Sequence, residues 1–255
     1  MGRVVSITNQ KGGVGKTTTA INLGACLGYL GETVLLIDLD AQGNATSGLG
    51  VPKNQNHKNS YSLLLGKCEP QEAIIKTPFQ NFYLVPSHRD MVGAEIELVE
   101  EEGNAYFLQK AISKLHSKFN FIFLDCPPSL GFVTLNALTS ADGVLITLQS
   151  EYFALEGLGE LLGTVDRVRQ SFNPFLEMEG VLITMVDERT NLAIQVWEEV
   201  KNHFGKELFN TIIPRSIRLA EAPSFGKPVF YYDPRSKGAL AYLNLAKEYL
   251  ERRKK

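Results

Sequence analysis

Short apolar runs alternate along this chain with stretches of helical spacing. The runs Val4–Thr8, Thr33–Asp38, Phe82–Pro86, Phe121–Asp125, Gly143–Leu148, Gly180–Met185 and Leu208–Ile213 are rich in β-branched or aromatic residues and bounded by turn formers, which predicts strands. Between them, Leu23, Leu27 and Leu30 share one helical face, and Phe107, Leu108, Ala111, Ile112 and Leu115 share another. Leu192, Val196 and Val200 recur every four residues with Trp197 and Phe204 beside them, and Leu240, Leu243, Ala246 and Leu250 mark a last helix. Strand–helix–strand repetition predicts an α/β fold: a mostly parallel twisted sheet of about seven or eight strands with helices on both faces. Phe121–Leu124 and Val144–Leu148 are apolar throughout, as strands covered on both sides are. No long linker or internal repeat interrupts the pattern, so residues 1–255 read as one domain. Residues 50–80 are the least regular part, a loop at Pro52–Asn56 and two short helical pieces. The acidic segment Glu95–Glu102 reads as a solvated helix face or loop.

Composition narrows this picture. A chain of 255 residues with 44% hydrophobic and 21% charged residues can bury a core without disulfide or metal staples. Cys26, Cys68 and Cys126 form no C-x-x-C pair, which argues against a disulfide framework or a metal cluster within one chain and for a reduced, cytoplasmic protein. Cys126 reads as a small buried hydrophobe. His57, His88, His116 and His203 make no metal-ligand pattern and read as surface residues. The N-terminus lacks the features of a signal peptide, and no run of about 18 apolar residues predicts a membrane span. Charge is uneven. Residues 1–187 carry 13 Lys+Arg against 20 Asp+Glu, a net −7, and residues 188–255 carry 13 against 8, a net +5. The basic C-terminal third could face an anionic partner or could be an ordinary solvated surface.

The chemistry begins where the first strand ends. Asn9-Gln10-Lys11-Gly12-Gly13-Val14-Gly15-Lys16-Thr17-Thr18-Thr19 joins that strand to a helical pattern. In this context backbone N–H groups and a helix N-terminus cradle phosphate, and glycines let the main chain wrap close to the oxygens. Lys16 can reach β- and γ-phosphates, and the Thr17 hydroxyl can ligate Mg²⁺. The usual phosphate-loop pattern has glycine where this chain has Gln10, and Lys11 is an additional lysine. A dinucleotide-binding reading fits less well, because Thr18 stands where its third glycine is needed.

Two further strands end in acids. Val34–Ile37 runs into Asp38-Leu39-Asp40, and Phe121–Leu124 runs into Asp125. Open α/β sheets bind ligands at the carboxyl ends of their strands. Aspartates there can hold Mg²⁺ through water or position a nucleophile, although each alone could equally cap the turn that follows it.

On these residues the chain resembles the ParA/MinD group of P-loop ATPases, which carry two lysines spaced as Lys11 and Lys16 are. Within that group it is most similar to the chromosomal, Soj-type ParA partitioning ATPases. The supporting segments are Asp38–Gly50, Asp125–Gly131, Ile213–Pro223 and Ser236–Tyr242, which span nearly the whole chain. Ala41 and Ser216 stand where relatives often carry proline and asparagine.

The resemblance implies a P-loop NTPase-like fold, ATP and Mg²⁺ as cofactors, and an ATP-dependent homodimer with nucleotides sandwiched between subunits. Gly12, Gly13, Val14, Gly15, Lys16, Thr17 and Thr18 would hold the phosphates, and Lys11 would reach the partner subunit's ATP. Asp40 would orient or activate the attacking water, and Asp40 and Asp125 would hold Mg²⁺ through its water shell, with Thr17 a direct ligand. Pro214 and Ser216 would line the adenine pocket, and Arg189 and Arg218 would contact DNA. The implied activity is weak ATP hydrolysis stimulated by a ParB-type partner, coupled to non-specific binding of double-stranded DNA on the nucleoid. A MinD-like membrane ATPase is the alternative. It would need a membrane-inserting C-terminal helix, and the chain ends instead in Glu251-Arg252-Arg253-Lys254-Lys255. The same loop also serves amidoligases and the nitrogenase iron protein. The latter needs cluster cysteines, and the former a pocket for a carboxylate substrate.

Overall fold

A computed structural model describes residues 2–53, 58–99, 103–150, 154–187 and 191–254. Seven strands form one sheet: β1 (Arg3–Thr8), β2 (Val34–Asp38), β3 (Ile75–Lys76), β4 (Phe82–Val85), β5 (Phe121–Asp125), β6 (Gly143–Gln149) and β7 (Glu177–Thr184). Their order is β3-β4-β2-β5-β1-β6-β7, and every pairing is parallel except β3 with β4. The two-residue edge strand β3 is too short to leave a period in the sequence.

The helices are α1 (Lys16–Tyr29), α2 (Asn44–Gly48), α3 (Ser60–Leu64), α4 (Met91–Val99), α5 (Phe107–Ile112), α6 (Phe132–Ser140), α7 (Ala154–Ser171), α8 (Asn191–Phe204), α9 (Ile217–Glu221), α10 (Val229–Tyr232) and α11 (Lys237–Arg252). Alternate strand residues feed two cores. Val4, Leu35, Ile37, Ile122, Leu124, Val144 and Ile146 pack with α3 to α8. Val5, Ile7, Leu36, Phe123, Leu145 and Leu182 pack with α1, α2, α10 and α11 on the other face. The period of two in a strand thus produces a three-layer molecule.

Two expectations need correction. Leu208–Ile213 is not a strand: it makes one isolated bridge to β7, Leu208 with Val181, and the next bridge, Pro214 with Val186, falls past the ends of both segments. The Phe209 and Ile213 N–H groups reach Val181 and Ile183 at 2.9 Å each. The Asn210 and Thr211 N–H groups turn away to the Glu248 carboxylate on α11, at 2.7 and 2.8 Å, and break the ladder. The buried face of α11 is also rotated from the leucine pattern. Leu240 is 48% exposed, while Tyr242, Leu245, Ala246 and Tyr249 are fully buried. Both tyrosines can enter the core because their hydroxyls find partners there, Thr19 and Glu179.

The sheet order places the functional ends side by side. β2, β5 and β1 are adjacent, with Asp38 opposite Asp125 and Asp125 opposite Ile7. The glycine loop and both acidic loops therefore leave the sheet at one edge.

Candidate nucleotide site

The glycine loop leaves β1 and ends in α1, with Gly15 as the N-cap. Gly13 and Gly15 have φ of 76° and 86°, the left-handed region that glycine enters without strain. No side chain caps α1 and no acid occupies its first turn, so its leading N–H groups face outward as an anion cradle. Buried side chains hold the loop from below. Asn9 Nδ2 donates to the Thr147 carbonyl at 2.7 Å, and its Oδ1 accepts from the Lys11 N–H at 2.9 Å. Thr184 Oγ1 donates to the Val14 carbonyl at 2.8 Å. Asn22 Nδ2 donates to the Thr18 carbonyl and its Oδ1 accepts from the Val229 N–H, both at 2.7 Å, tying the start of α1 to α10.

Lys16 is buried, and its ammonium donates to the Lys11 carbonyl at 3.1 Å. Burial pulls it below the usual lysine range, against the opposing pull of the Asp125, Cys126 and Asp40 charges. Lys11 is exposed on the same loop.

The three aspartates have different surroundings. Asp38 is fully buried, and its carboxylate accepts from the Thr46 N–H at 2.8 Å, the Thr46 hydroxyl at 2.7 Å and the Asp40 N–H at 3.2 Å. Burial pushes its acid up to about 6 despite those bonds. Asp40 is half-buried, and its carboxylate accepts from the Gln42 N–H at 2.9 Å. Asp125 is fully buried, and among the described residues neither of its oxygens has a hydrogen-bond partner. Burial first and the Asp38 charge second hold it well above the usual carboxylate range, while the neighbouring Thr17 hydroxyl, which falls short of hydrogen-bond geometry, and the Lys16 ammonium favour its charged form. An unpartnered buried carboxylate is costly unless something satisfies it. Hard oxygen donors from Asp125 and Thr17 suit a small divalent cation that keeps several waters, as Mg²⁺ does.

Beside the loop lies an apolar cavity of about 290 Å³, lined among others by Thr18, Met185, Pro214, Ser216, Leu219 and Tyr242. Pro214, Ser216 and Thr18 thus line one cavity. Met185, at φ 55°, closes one wall in the left-handed region.

Arg218 projects from α9, one residue before Leu219 on the cavity wall, and its side chain is 51% exposed. It is ion-paired to Glu221 at 2.7 Å and Asp233 at 3.3 Å. Arg189 lies outside the described residues. Thr184, Asn22, Thr46 and Ser87 support the site without any motif to announce them. The bonds of Thr184 to Val14, Val229 to Asn22 and Ser87 to Thr46 join positions far apart in the sequence, which only the fold brings together.

Comparison with known proteins bears on this geometry. The family profile described as an AAA domain matches residues 2–178. The sporulation initiation inhibitor protein Soj of Bacillus subtilis is 52% identical over 97% of this chain and 98% of its own length. The chromosome partitioning protein ParA of Myxococcus xanthus is 50% identical over 99% of this chain and 89% of its own. Among solved structures, cobyrinic acid a,c-diamide synthase of Mycobacterium smegmatis, bound to ADP and magnesium, superposes with a TM-score of 0.87. It is 38% identical and covers 100% of this chain and 96% of that one. The septum site-determining protein MinD of Pyrococcus horikoshii, complexed with Mg-ADP, gives 0.79 at 28% identity, covering 97% and 96%. With a two-lysine phosphate loop, two acidic strand ends aligned beside it and this level of identity across nearly its whole length, the chain belongs to the ParA/Soj family of chromosome-partitioning P-loop ATPases.

Proposed function

We propose that this protein is a DNA-segregation ATPase that uses ATP and Mg²⁺, dimerises around ATP, binds duplex DNA without sequence preference, and is released when a ParB-type partner stimulates hydrolysis. The observation that carries the nucleotide chemistry is Asp125: a buried carboxylate with no hydrogen-bond partner among the described residues, aligned across the sheet with Asp38 and set beside Lys16 and Thr17.

The backbone N–H groups of Gly12 to Thr18 bind the phosphate oxygens, and Lys16 compensates the charge that grows on them in the transition state. Thr17 and, through water, Asp125 would hold Mg²⁺, which neutralises charge on the phosphates when bound. Asp40, less buried than its two neighbours, orients the attacking water and accepts its proton. Lys11, outside the cradle of its own loop, reaches the second nucleotide across a two-fold axis. The adenine occupies the cavity beside Pro214 and Ser216.

DNA binding falls to the basic C-terminal third, with Arg218 and Arg189 the named contacts. The ion pairs of Arg218 are part of this reading. Exposed pairs are worth only about 0–1 kcal/mol, so DNA phosphates can displace Glu221 and Asp233. Dimerisation would join two basic faces into one track on the nucleoid. Among the described residues no helix is long and apolar enough to cross a membrane, and α11 spends its apolar face on the core. ATP-dependent amide synthesis is a second reading, supported by the likeness to the diamide synthase; the higher identity to Soj and ParA favours segregation.

Co-sedimentation with duplex DNA and with anionic liposomes, each with ATP and with ADP, tests the proposal. DNA pelleting with ATP alone is expected. Pelleting with liposomes but not DNA would replace it with the membrane reading.

A further inference from the structure

The acidic segment around Glu95 is not a plain solvated face. Glu95 sits on α4, and its carboxylate reaches the first turn of α6. Oε2 accepts from the Phe132 N–H at 2.7 Å, and Oε1 from the Val133 N–H at 3.3 Å. These are two of the orphan donors that begin a helix, and a negative charge there also meets the positive end of the helix dipole. The N-cap itself, Gly131, supplies no side-chain bond. A Cβ on Gly131 would collide with both Glu95 oxygens, so the glycine leaves room for a cap that comes from another helix. Its φ of −80° and ψ of −167° suit any residue, so space and not backbone conformation requires glycine here.

The capped turn ends the loop that starts at Asp125. The near end of that loop is fixed by the sheet, where the Leu39 N–H donates to the Asp125 carbonyl at 3.0 Å and the Cys126 N–H to the Ile7 carbonyl at 3.3 Å. The far end is fixed by Glu95, and Thr134 Oγ1 reaches back to the Ser129 carbonyl at 2.6 Å. A second buried chain ties the same β4–α4 unit to the other acidic loop. The Ser87 N–H donates to Thr46 Oγ1 at 2.9 Å, and Thr46 Oγ1 donates to Asp38 at 2.7 Å. The β4–α4 unit therefore braces both loops that carry the aspartates.

We propose that Glu95 is a positioning residue for ATP hydrolysis: by capping α6 from α4 it fixes the loop between Asp125 and Gly131 against the bound phosphates. It touches neither nucleotide nor metal. Its contribution is preorganisation of a loop pinned at both ends, and small displacements near reacting atoms cost rate more than affinity. The inference rests on the reading of this chain as an ATPase.

The test uses Glu95→Ala, Glu95→Gln, Gly131→Ala and the double variant Glu95→Ala/Gly131→Ala in the full chain. Turnover is measured with Mg-ATP and duplex DNA, ATP affinity by calorimetry, and amide hydrogen exchange over residues 126–135 with Mg-ADP. Glu95→Ala should lower kcat about tenfold with ATP affinity within about twofold, and should speed exchange at the start of α6. Glu95→Gln keeps an acceptor and should recover part of the rate. Gly131→Ala, which displaces the carboxylate without deleting it, should reproduce the Glu95→Ala loss. The double variant should be no worse than Glu95→Ala, because the collision is gone. A merely structural role would lower the melting temperature and leave kcat at 25 °C unchanged. The proposal is overturned by turnover within about twofold of wild type in both Glu95→Gln and Gly131→Ala, or by losses that add in the double variant. If Glu95→Ala does not fold, those two variants decide. Wild-type protein that binds ATP without ever hydrolysing it would overturn the ATPase reading itself, whereas normal wild-type turnover with unaffected variants overturns only the role of Glu95.

Discussion

The glycine loop and α9 are both assigned to bind phosphate, the one of a nucleotide and the other of DNA, and they are built in opposite ways. The loop is held from beneath by Asn9, Thr184 and Asn22, and its N–H groups at the start of α1 have no competing acid or cap. At α9 the relevant charge, Arg218, is half-exposed and already engaged by Glu221 and Asp233. A phosphate entering the loop displaces no side-chain cap and competes only with the Lys11 carbonyl for the Lys16 ammonium, whereas one reaching Arg218 must displace two carboxylates. On the proposed function, the first arrangement would favour retention of a nucleotide and the second would favour exchange of DNA.

The sharpest way to break this contrast is at Lys16. Lys16→Ala removes the buried ammonium from a preformed cradle, and ATP affinity should fall on the order of 100-fold by calorimetry. Unchanged affinity would mean that phosphate does not sit in this loop. Next in size is Asp40→Ala, which should cut turnover by on the order of 100-fold while ATP affinity stays near wild type and an ATP-bound dimer accumulates. Wild-type turnover in that variant would move the catalytic role elsewhere. Asp38 is a poor replacement, since Thr46 already occupies its carboxylate. Lys11→Ala should keep ATP binding and lose the ATP-driven dimer on a sizing column; a normal dimer would refute its role across the interface.

The smallest effects belong to α9. Arg218→Glu should weaken DNA binding by more than about tenfold without affecting dimerisation. Asp233→Asn and Glu221→Gln should act oppositely and tighten it by about two- to fivefold, because each frees the guanidinium from an exposed, solvent-screened pair. If neither neutralisation changes DNA affinity, the carboxylates do not compete with DNA for Arg218.

The same contrast explains what the sequence could disclose. The glycine loop was readable because its chemistry follows from local spacing: glycines at left-handed positions, a lysine and a threonine at the head of a helix. The strand runs were readable because both faces of the sheet are covered. Asp38 and Asp40 are not distinguishable by spacing; the bonds from Thr46, eight positions on, show that Asp38 is a brace. Glu95 lay hidden in an acidic run, because its partners at Phe132 and Val133 belong to another helix. The ion pairs of Arg218 depend partly on Asp233, fifteen positions away in the sequence. The buried face of α11 departs from the leucine pattern because Tyr242 and Tyr249 are buried through hydroxyl partners supplied by α1 and β7.

The most direct test of the account is fluorescence anisotropy of the protein on two duplexes of unrelated sequence, with ATP and with ADP, at low and moderate salt. A chain of net charge −2 should bind duplex poorly as a monomer and gain affinity only when ATP pairs two basic faces. The account predicts equal binding to both duplexes with ATP, a steep loss with salt, and little binding with ADP. Tight binding with ADP, or binding to one duplex alone, would contradict it.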